Sequence, residues 1–263
     1  MNNTSKNSMC VVATALMTVA TSLAGTATTP KTVPAESSSL GITGNFGVDV
    51  SSGQVYRGVV LDGDTTIQPH LGVSVPIVDN VSLKLNTTET IGTRSPLTGF
   101  TRSENEIGVA VKVGALTVTP SFQTVYSPNS KYKSSEGINV GVKYDDSKLL
   151  GVYALNPHAS VFTTTNGSNG NGTGGGRYYE VGVAPSTKLM GNTVSLPVNV
   201  GYGANNYYKG DASHGYTSVG LAADRALTDR VSLKLGVTYF NTAAGVNDKN
   251  TTWITTGGVA VTF

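Results

Sequence analysis

Cysteine, charge and long apolar runs are all scarce in this 263-residue chain. The single cysteine, Cys10, lies in an apolar stretch near the N-terminus, which excludes a disulfide framework and a Cys-based metal site elsewhere. Charged residues make up 13%, with 18 Lys and Arg against 16 Asp and Glu, so the composition does not indicate a nucleic-acid partner. No apolar run approaches the roughly 20 residues that a helix needs to span a bilayer. A helical membrane protein is therefore excluded.

The N-terminal residues have the composition of an export signal. Lys6 gives a basic start, an apolar run extends from residue 9 to residue 20, and small residues follow at 22–27. We predict a signal peptide at 1–24, cleaved near Ala24 or Ala27. Residues 25–40 are rich in Pro, Ser and Thr and are predicted to form a disordered periplasmic linker. Residues 41–263 would then be the folded domain.

The chain is rich in segments where apolar and polar residues alternate. In the first of them Phe46, Val48 and Val50 alternate with polar residues such as Asp49, which is typical of a strand with one apolar face. About twelve segments follow this pattern, at 42–50, 67–75, 81–86, 106–113, 116–126, 138–144, 148–161, 178–184, 194–202, 216–223, 231–239 and 253–263. The segment at 148–161 contains Pro157 and is among the least regular.

The links between these segments alternate in length. Short links lie at 76–80, 114–115, 145–147, 185–192 and 225–230, and longer polar links lie at 51–64, 92–103, 127–135, 163–176, 203–213 and 241–250. Outer-membrane barrels have short periplasmic turns and longer extracellular loops. The sequence therefore predicts an all-β fold, a transmembrane antiparallel up-and-down β-barrel in a bacterial outer membrane.

A secreted two-sheet sandwich is the alternative fold, because alternation alone does not say which face is apolar. About eight strands already fill the interior of a soluble barrel with side chains. About twelve strands would leave a space too wide for Val and Leu to fill. The inverse arrangement, with apolar side chains toward lipid and polar ones toward a wet lumen, agrees better with the strand number.

Aromatic residues fall mainly near the predicted strand ends, where outer-membrane barrels carry aromatic girdles. They are Tyr56, Phe100, Tyr126, Tyr132, Tyr144, Tyr153, Tyr178, Tyr179, Tyr202, Tyr207, Tyr208, Tyr239, Phe240 and Trp253. High strand propensity of tyrosine would also explain part of this distribution. The last strand keeps its alternation to Phe263, which resembles the C-terminal signal recognised by the outer-membrane insertion machinery.

The first predicted strand and its return carry a family resemblance. Residues 48–59 end in Tyr56-Arg57-Gly58-Val59, and residues 67–73 return with a glutamine. This resembles the opening of the TorF family of proteins assigned as outer-membrane porins, in which a strand ends in an aromatic-Arg-Gly element. Ser52-Gly53-Gln54 departs from the acidic or polar residue and aromatic that the family commonly has before that element. The resemblance implies an outer-membrane porin.

The parity of each strand predicts which charged side chains face the lumen. They are Asp49, Arg57, Lys84, Glu106, Lys112, Lys143, Glu180, Asp224, Arg230 and Lys234. A lumen with both signs of charge predicts weak charge selectivity, although the same residues would also serve as salt bridges in a narrow, plugged barrel. Within the aromatic-Arg-Gly element, Arg57 would fix a loop, form a constriction or brace the wall.

Catalytic, metal and cofactor sites are not indicated. His70, His158 and His214 are scattered, without a second ligand at metal spacing on the same element. The G-x-G-x-x-G match at 170–175 lies in a Gly/Asn-rich loop with no parallel strand before it.

We therefore expect a barrel that lets small hydrophilic solutes diffuse passively, with outer-membrane lipid, the insertion machinery and periplasmic chaperones as partners. No nucleic acid or cofactor is expected, and no surface specifies an oligomer. A structural or adhesive barrel without an open pore is the alternative, and a membrane-embedded enzyme is a weaker one.

Overall fold

A computed structural model describes residues 41–94, 98–130, 133–167, 175–208 and 213–263. The predicted signal peptide at 1–24 and the whole of the predicted linker at 25–40 lie outside these ranges. The strands are β1 Thr43–Ser51, β2 Gln54–Tyr56, β3 Val59–Asp62, β4 Thr66–Val78, β5 Val81–Gly92, β6 Gly99–Val113, β7 Leu116–Tyr126, β8 Ser135–Tyr144, β9 His158–Gly167, β10 Arg177–Val183, β11 Ser186–Leu189, β12 Asn192–Ser195, β13 Val198–Ala204, β14 His214–Ala226, β15 Val231–Thr242 and β16 Thr251–Thr262. A short helix, α1 Ser147–Leu150, precedes a 3₁₀ turn at Gly151–Tyr153.

Antiparallel pairing closes the sheet into a barrel. The ring runs β1, β4, β5, β6, β7, β8, β9, β10, β13, β14, β15 and β16, and β16 pairs back to β1 from Asn45↔Thr262 to Ser51↔Thr256. Twelve strands form this ring, so the predicted fold class and strand number are confirmed. Within the described ranges no helix is long and apolar enough to cross a membrane.

The two faces of the wall have opposite composition. On β1, Phe46 is 50% exposed on the outer face, whereas Asp49 is fully buried on the inner face. The outer face of the neighbouring strands exposes further large apolar side chains, such as Leu71, Ile107 and Phe122. Because apolar groups point out and polar groups point in, this is the arrangement of an outer-membrane barrel and not of a sandwich.

The predicted strand at 148–161 is wrong over its first half. Residues 147–153 form α1 and the 3₁₀ turn, and β9 begins only at His158, opposite Lys143. The carboxylate of Asp146 accepts hydrogen bonds from the backbone N–H groups of residues 155 and 156, each at 2.9 Å. At the start of the same turn, hydrogen bonds from Ser147 hold the pKa of Asp145 below its ordinary value. These local side-chain contacts compete with strand pairing.

Two prolines interrupt the wall near the short-turn end. Pro185 separates β10 from β11, and Pro197 separates β12 from β13, because proline has no N–H for a sheet ladder. The link at 185–192, predicted as a simple turn, is therefore largely a β11–β12 hairpin that continues the wall by pairing with β14. The sheet order ends at β11, which pairs with β12 and with no other strand of the described ranges.

Candidate functional site

The link at 51–64, predicted as an extracellular loop, folds into the lumen. It contains the β2–β3 hairpin, Gln54–Asp62, named the plug hairpin below. Its two-residue turn is Arg57-Gly58, with φ of 49° and 83°, and positive φ at both positions is what a type I′ hairpin turn requires. The aromatic-Arg-Gly element identified in the sequence is therefore the tip of a hairpin inside the barrel.

Arg57 makes several of the contacts that fix the plug hairpin in the lumen. Its guanidinium carbon lies 3.6 Å from the centre of the Phe162 ring. One terminal nitrogen donates to the hydroxyl of Tyr207 at 3.0 Å, and the other donates to Oε1 of Gln123 at 2.7 Å. The hydroxyl of Tyr208 donates to the backbone carbonyl of Arg57 at 2.8 Å. An arginine remains charged at any physiological pH, so these contacts surround a buried cation that is only 7% exposed.

Other contacts attach the plug hairpin to the wall on several sides. The amide of Gln54 donates to Thr90 on β5 at 2.8 Å. The guanidinium of Arg102, on β6, lies 3.7 Å from the centre of the Tyr56 ring and pairs with Glu104 at 2.8 Å. Since Gln123 and Phe162 belong to β7 and β9, the hairpin contacts an arc of the wall that runs from β5 to β9. The hairpin therefore crosses the lumen, from its root at β1 and β4 to strands on the opposite wall.

Other buried aromatic residues pack around the plug hairpin. Glu180 on β10 accepts hydrogen bonds from the hydroxyls of Tyr178 and Tyr216. The rings of Tyr207 and Tyr208 lie 5.1 Å apart, edge to face. Together with Phe162, these four tyrosines form the aromatic cluster of the plug, which packs in one core.

The prediction of aromatic girdles therefore needs a correction. Several of the residues assigned to them face inward and are buried, namely Tyr56, Tyr178, Tyr207, Tyr208 and Phe240. Outward aromatic side chains do occur at strand ends: Trp253 is 65% exposed, and its ring centre lies 4.9 Å from that of Tyr239, with the two planes tilted by 49°. Alternation identified strand ends but did not distinguish a girdle from a plug. Tyr132 lies outside the described residues.

Below the plug, toward the short turns, the lumen is polar; this part is named the vestibule. The wall at its upper end contains a buried pair that the sequence did not suggest, in which Nδ1 of His70 lies 3.2 Å from Asp49. Asp49 is on β1 and His70 on β4, so only the strand register brings them together. Nε2 of His70 has no hydrogen-bond partner among the described residues.

The remaining predicted lumen residues lie at different places. Lys84, Lys143 and Lys234 are partly buried on the inner face near the short-turn ends of β5, β8 and β15. Asp224 lies opposite Lys234 in the register, and Glu106 accepts a hydrogen bond from Ser121 at 2.6 Å. Lys112 is exposed at the end of β6.

Arg230 is placed differently from the prediction. It lies in the turn between β14 and β15, is exposed, and contributes its backbone carbonyl to the N–H of Thr262 at 2.8 Å. A strand residue alternates between two faces, whereas a turn residue does not, so the parity argument did not apply to it.

Comparison with known proteins shows the fold. No family model and no curated protein sequence matches the chain. Among solved structures, the NanC porin is 15% identical with a TM-score of 0.51, and the match covers 84% of this chain and 98% of the porin. A KdgM porin in complex with disordered oligogalacturonate is 8% identical with a TM-score of 0.46, over 84% of this chain and 99% of the porin. The fold and the inverted faces together define an outer-membrane β-barrel protein.

Proposed function

We propose that this barrel is a non-enzymatic, porin-like passage for small hydrophilic solutes, closed by the plug hairpin in the conformation described. The observation that carries the proposal is the polar vestibule beneath the plug, lined by groups such as Lys84, Lys143 and Asp224. A wet, charged lumen is what conducting barrels have. Outer-membrane lipid surrounds the barrel, and the insertion machinery and periplasmic chaperones would assemble it. The Tyr56-Arg57-Gly58 tip supports membership of the TorF family.

Opening requires the plug hairpin to move away from the wall. The hairpin is joined to β1 and β4 by short segments that contain Gly53 and Gly63, and glycine adapts most readily to a change of backbone conformation. Its attachments to Thr90, Gln123 and Tyr207 are hydrogen bonds that water can replace. The two connecting segments would therefore act as the hinge.

A barrel that never opens is the second candidate. The dense packing around Arg57, with Tyr178 and Tyr208 almost fully buried, favours it. Such a barrel would have a structural or adhesive role carried by its extracellular loops, and its lumen would not conduct.

Planar-bilayer recording separates the two candidates. The mature chain is compared with a variant in which residues 54–62 are replaced by a short Gly-Ser linker. We expect rare, brief openings of the unaltered chain and steady stepwise conductance of the variant, since removal of the plug leaves a polar passage. Heat-modifiable gel mobility shows whether each protein is a folded barrel. A folded variant that conducts no current would overturn the proposed passage and leave the structural role.

A further inference from the structure

Lysines are distributed around the vestibule. Lys84 lies on β5, Lys143 on β8, Lys188 on β11 and Lys234 on β15. Of these strands, β5, β8 and β15 lie well apart around the wall, and β11 is separated from β15 by β12 and β14. Lys188 was not predicted to face the lumen. It does so because it pairs across the β11–β12 hairpin with Thr193, which in turn pairs with the inward-facing Asp224. The four residues are named the lysine ring.

Hydroxyl groups on the wall hold two of these ammonium groups in place. Nζ of Lys84 donates to the hydroxyl of Ser74 at 2.7 Å, and Nζ of Lys188 donates to the hydroxyl of Thr193 at 2.5 Å. A hydroxyl orients an ammonium group without neutralising it. Both side chains are thus held against the wall with their positive charge directed to the lumen.

Carboxylates in the vestibule are fewer than lysines. Asp224 lies between Lys188 and Lys234, and Glu106 is engaged by Ser121 and by Asn86 at 3.3 Å. Asp49 is fully buried beside His70 and does not face the water. At the mouth, the charge of Lys112 is offset by the neighbouring carboxylate of Asp145. The excess of positive charge in the vestibule therefore comes from the four residues of the lysine ring, against the carboxylates of Asp224 and Glu106.

We propose that the vestibule binds and selects anionic solutes, such as small carboxylates and phosphates. A cleft lined by one predominant sign of charge, with walls of low dielectric constant, concentrates ions of the opposite sign. A ring of charged side chains is also a common basis of selectivity in pores. For ion flow the inference rests on the passage proposed above, whereas anion binding in the vestibule does not require the plug to open.

Ion selectivity is measured on the variant that lacks residues 54–62, from the reversal potential in a KCl gradient. We expect chloride to permeate better than potassium. Changing the lysine ring by Lys84→Gln, Lys143→Gln, Lys188→Gln and Lys234→Gln should lower the chloride preference at least about threefold. The control variant combines Lys148→Gln with Lys249→Gln, which change two exposed lysines outside the strands. It should leave the chloride preference unchanged. Preference for potassium, or no effect of the four changes, overturns the inference.

Anion binding is measured separately on the chain with its plug intact, by calorimetric titration with inorganic tripolyphosphate. We expect binding that weakens with added salt, that falls at least about fivefold in the fourfold lysine variant, and that persists in the control. If tripolyphosphate binds but the plug-deleted barrel conducts no current, the proposed passage is wrong and the proposed anion site is supported. Absence of lysine-dependent binding would overturn the anion site even if current flows.

Discussion

At the scale of single residues, Arg57 determines how firmly the plug is held. Its guanidinium donates hydrogen bonds to Tyr207 and Gln123, which are distant from it in the chain. Gln123 lies on β7, and Tyr207 lies in the link between β13 and β14. The aromatic-Arg-Gly element was enough to identify Arg57 from the sequence. Its partners were not identifiable, because nothing local in Asn205-Asn206-Tyr207-Tyr208 distinguishes a loop that turns inward from one that turns outward.

Substitution of Arg57 should loosen the plug without unfolding the barrel. Arg57→Gln removes two buried charge-assisted hydrogen bonds, one to the hydroxyl of Tyr207 and one to Oε1 of Gln123, which costs about 1 to 3 kcal/mol of docking free energy. We expect the open fraction in planar bilayers to rise at least about fivefold. Arg94→Gln is the control, because its pairing with Asp64 lies at the exposed surface and contributes little. An equal effect of both changes would show that Arg57 has no special role.

At the scale of elements, the alternation of residues was sufficient to locate most barrel strands. It failed where local contacts replaced pairing, as at α1, where Asp146 binds the backbone of residues 155 and 156. It also failed for the plug hairpin, whose strands have three and four residues. A pattern with a period of two needs a longer segment to be recognised. Strands as short as β2 and β3 are therefore predicted as part of a loop.

The turn of the plug hairpin offers a test with a well-matched control. Gly58→Ala places a methyl group where φ is +83°, and its Cβ would lie 2.5 Å from the ring of Tyr216. We expect the turn to lift from the aromatic cluster, seen as faster proteolysis within 52–63 and more frequent openings in the bilayer. Gly114→Ala has a similar φ of +61° but meets nothing within 4 Å, so it should affect neither measurement. If both variants behave alike, the contact with Tyr216 does not hold the plug.

At the scale of the whole molecule, the fold followed from physical limits and the function did not. A membrane barrel is predicted by three features together: the strand number, the alternating link lengths and the apolar outer residues. Whether its lumen is open depends on contacts between segments far apart in the chain, such as Gly58 with Asn247 at 2.7 Å. Composition and periodicity carry no information about such pairings.

Closure of the barrel brings the last strand against the first, and Phe263 takes part. Gly44 and Phe263 exchange backbone hydrogen bonds at 2.8 and 3.0 Å, and the Phe263 ring lies close over Gly44. We expect Phe263→Ala to reduce the assembled, heat-modifiable fraction in cells several-fold, because the terminal aromatic is also the predicted insertion signal. Phe46→Ala removes an aromatic of similar exposure on the same face and should have a smaller effect. Equal losses would assign the defect to lost apolar surface.

The two prolines that interrupt the wall have a consequence for how the barrel comes apart. Most strands of the ring are held on both sides by long ladders, whereas β11 has four residues and one neighbouring strand. Free energies of local opening are lowest where few backbone hydrogen bonds must break together. Heat or denaturant should therefore separate the β11–β12 hairpin first, and the rest of the ring would persist until the strands next to this weak point follow.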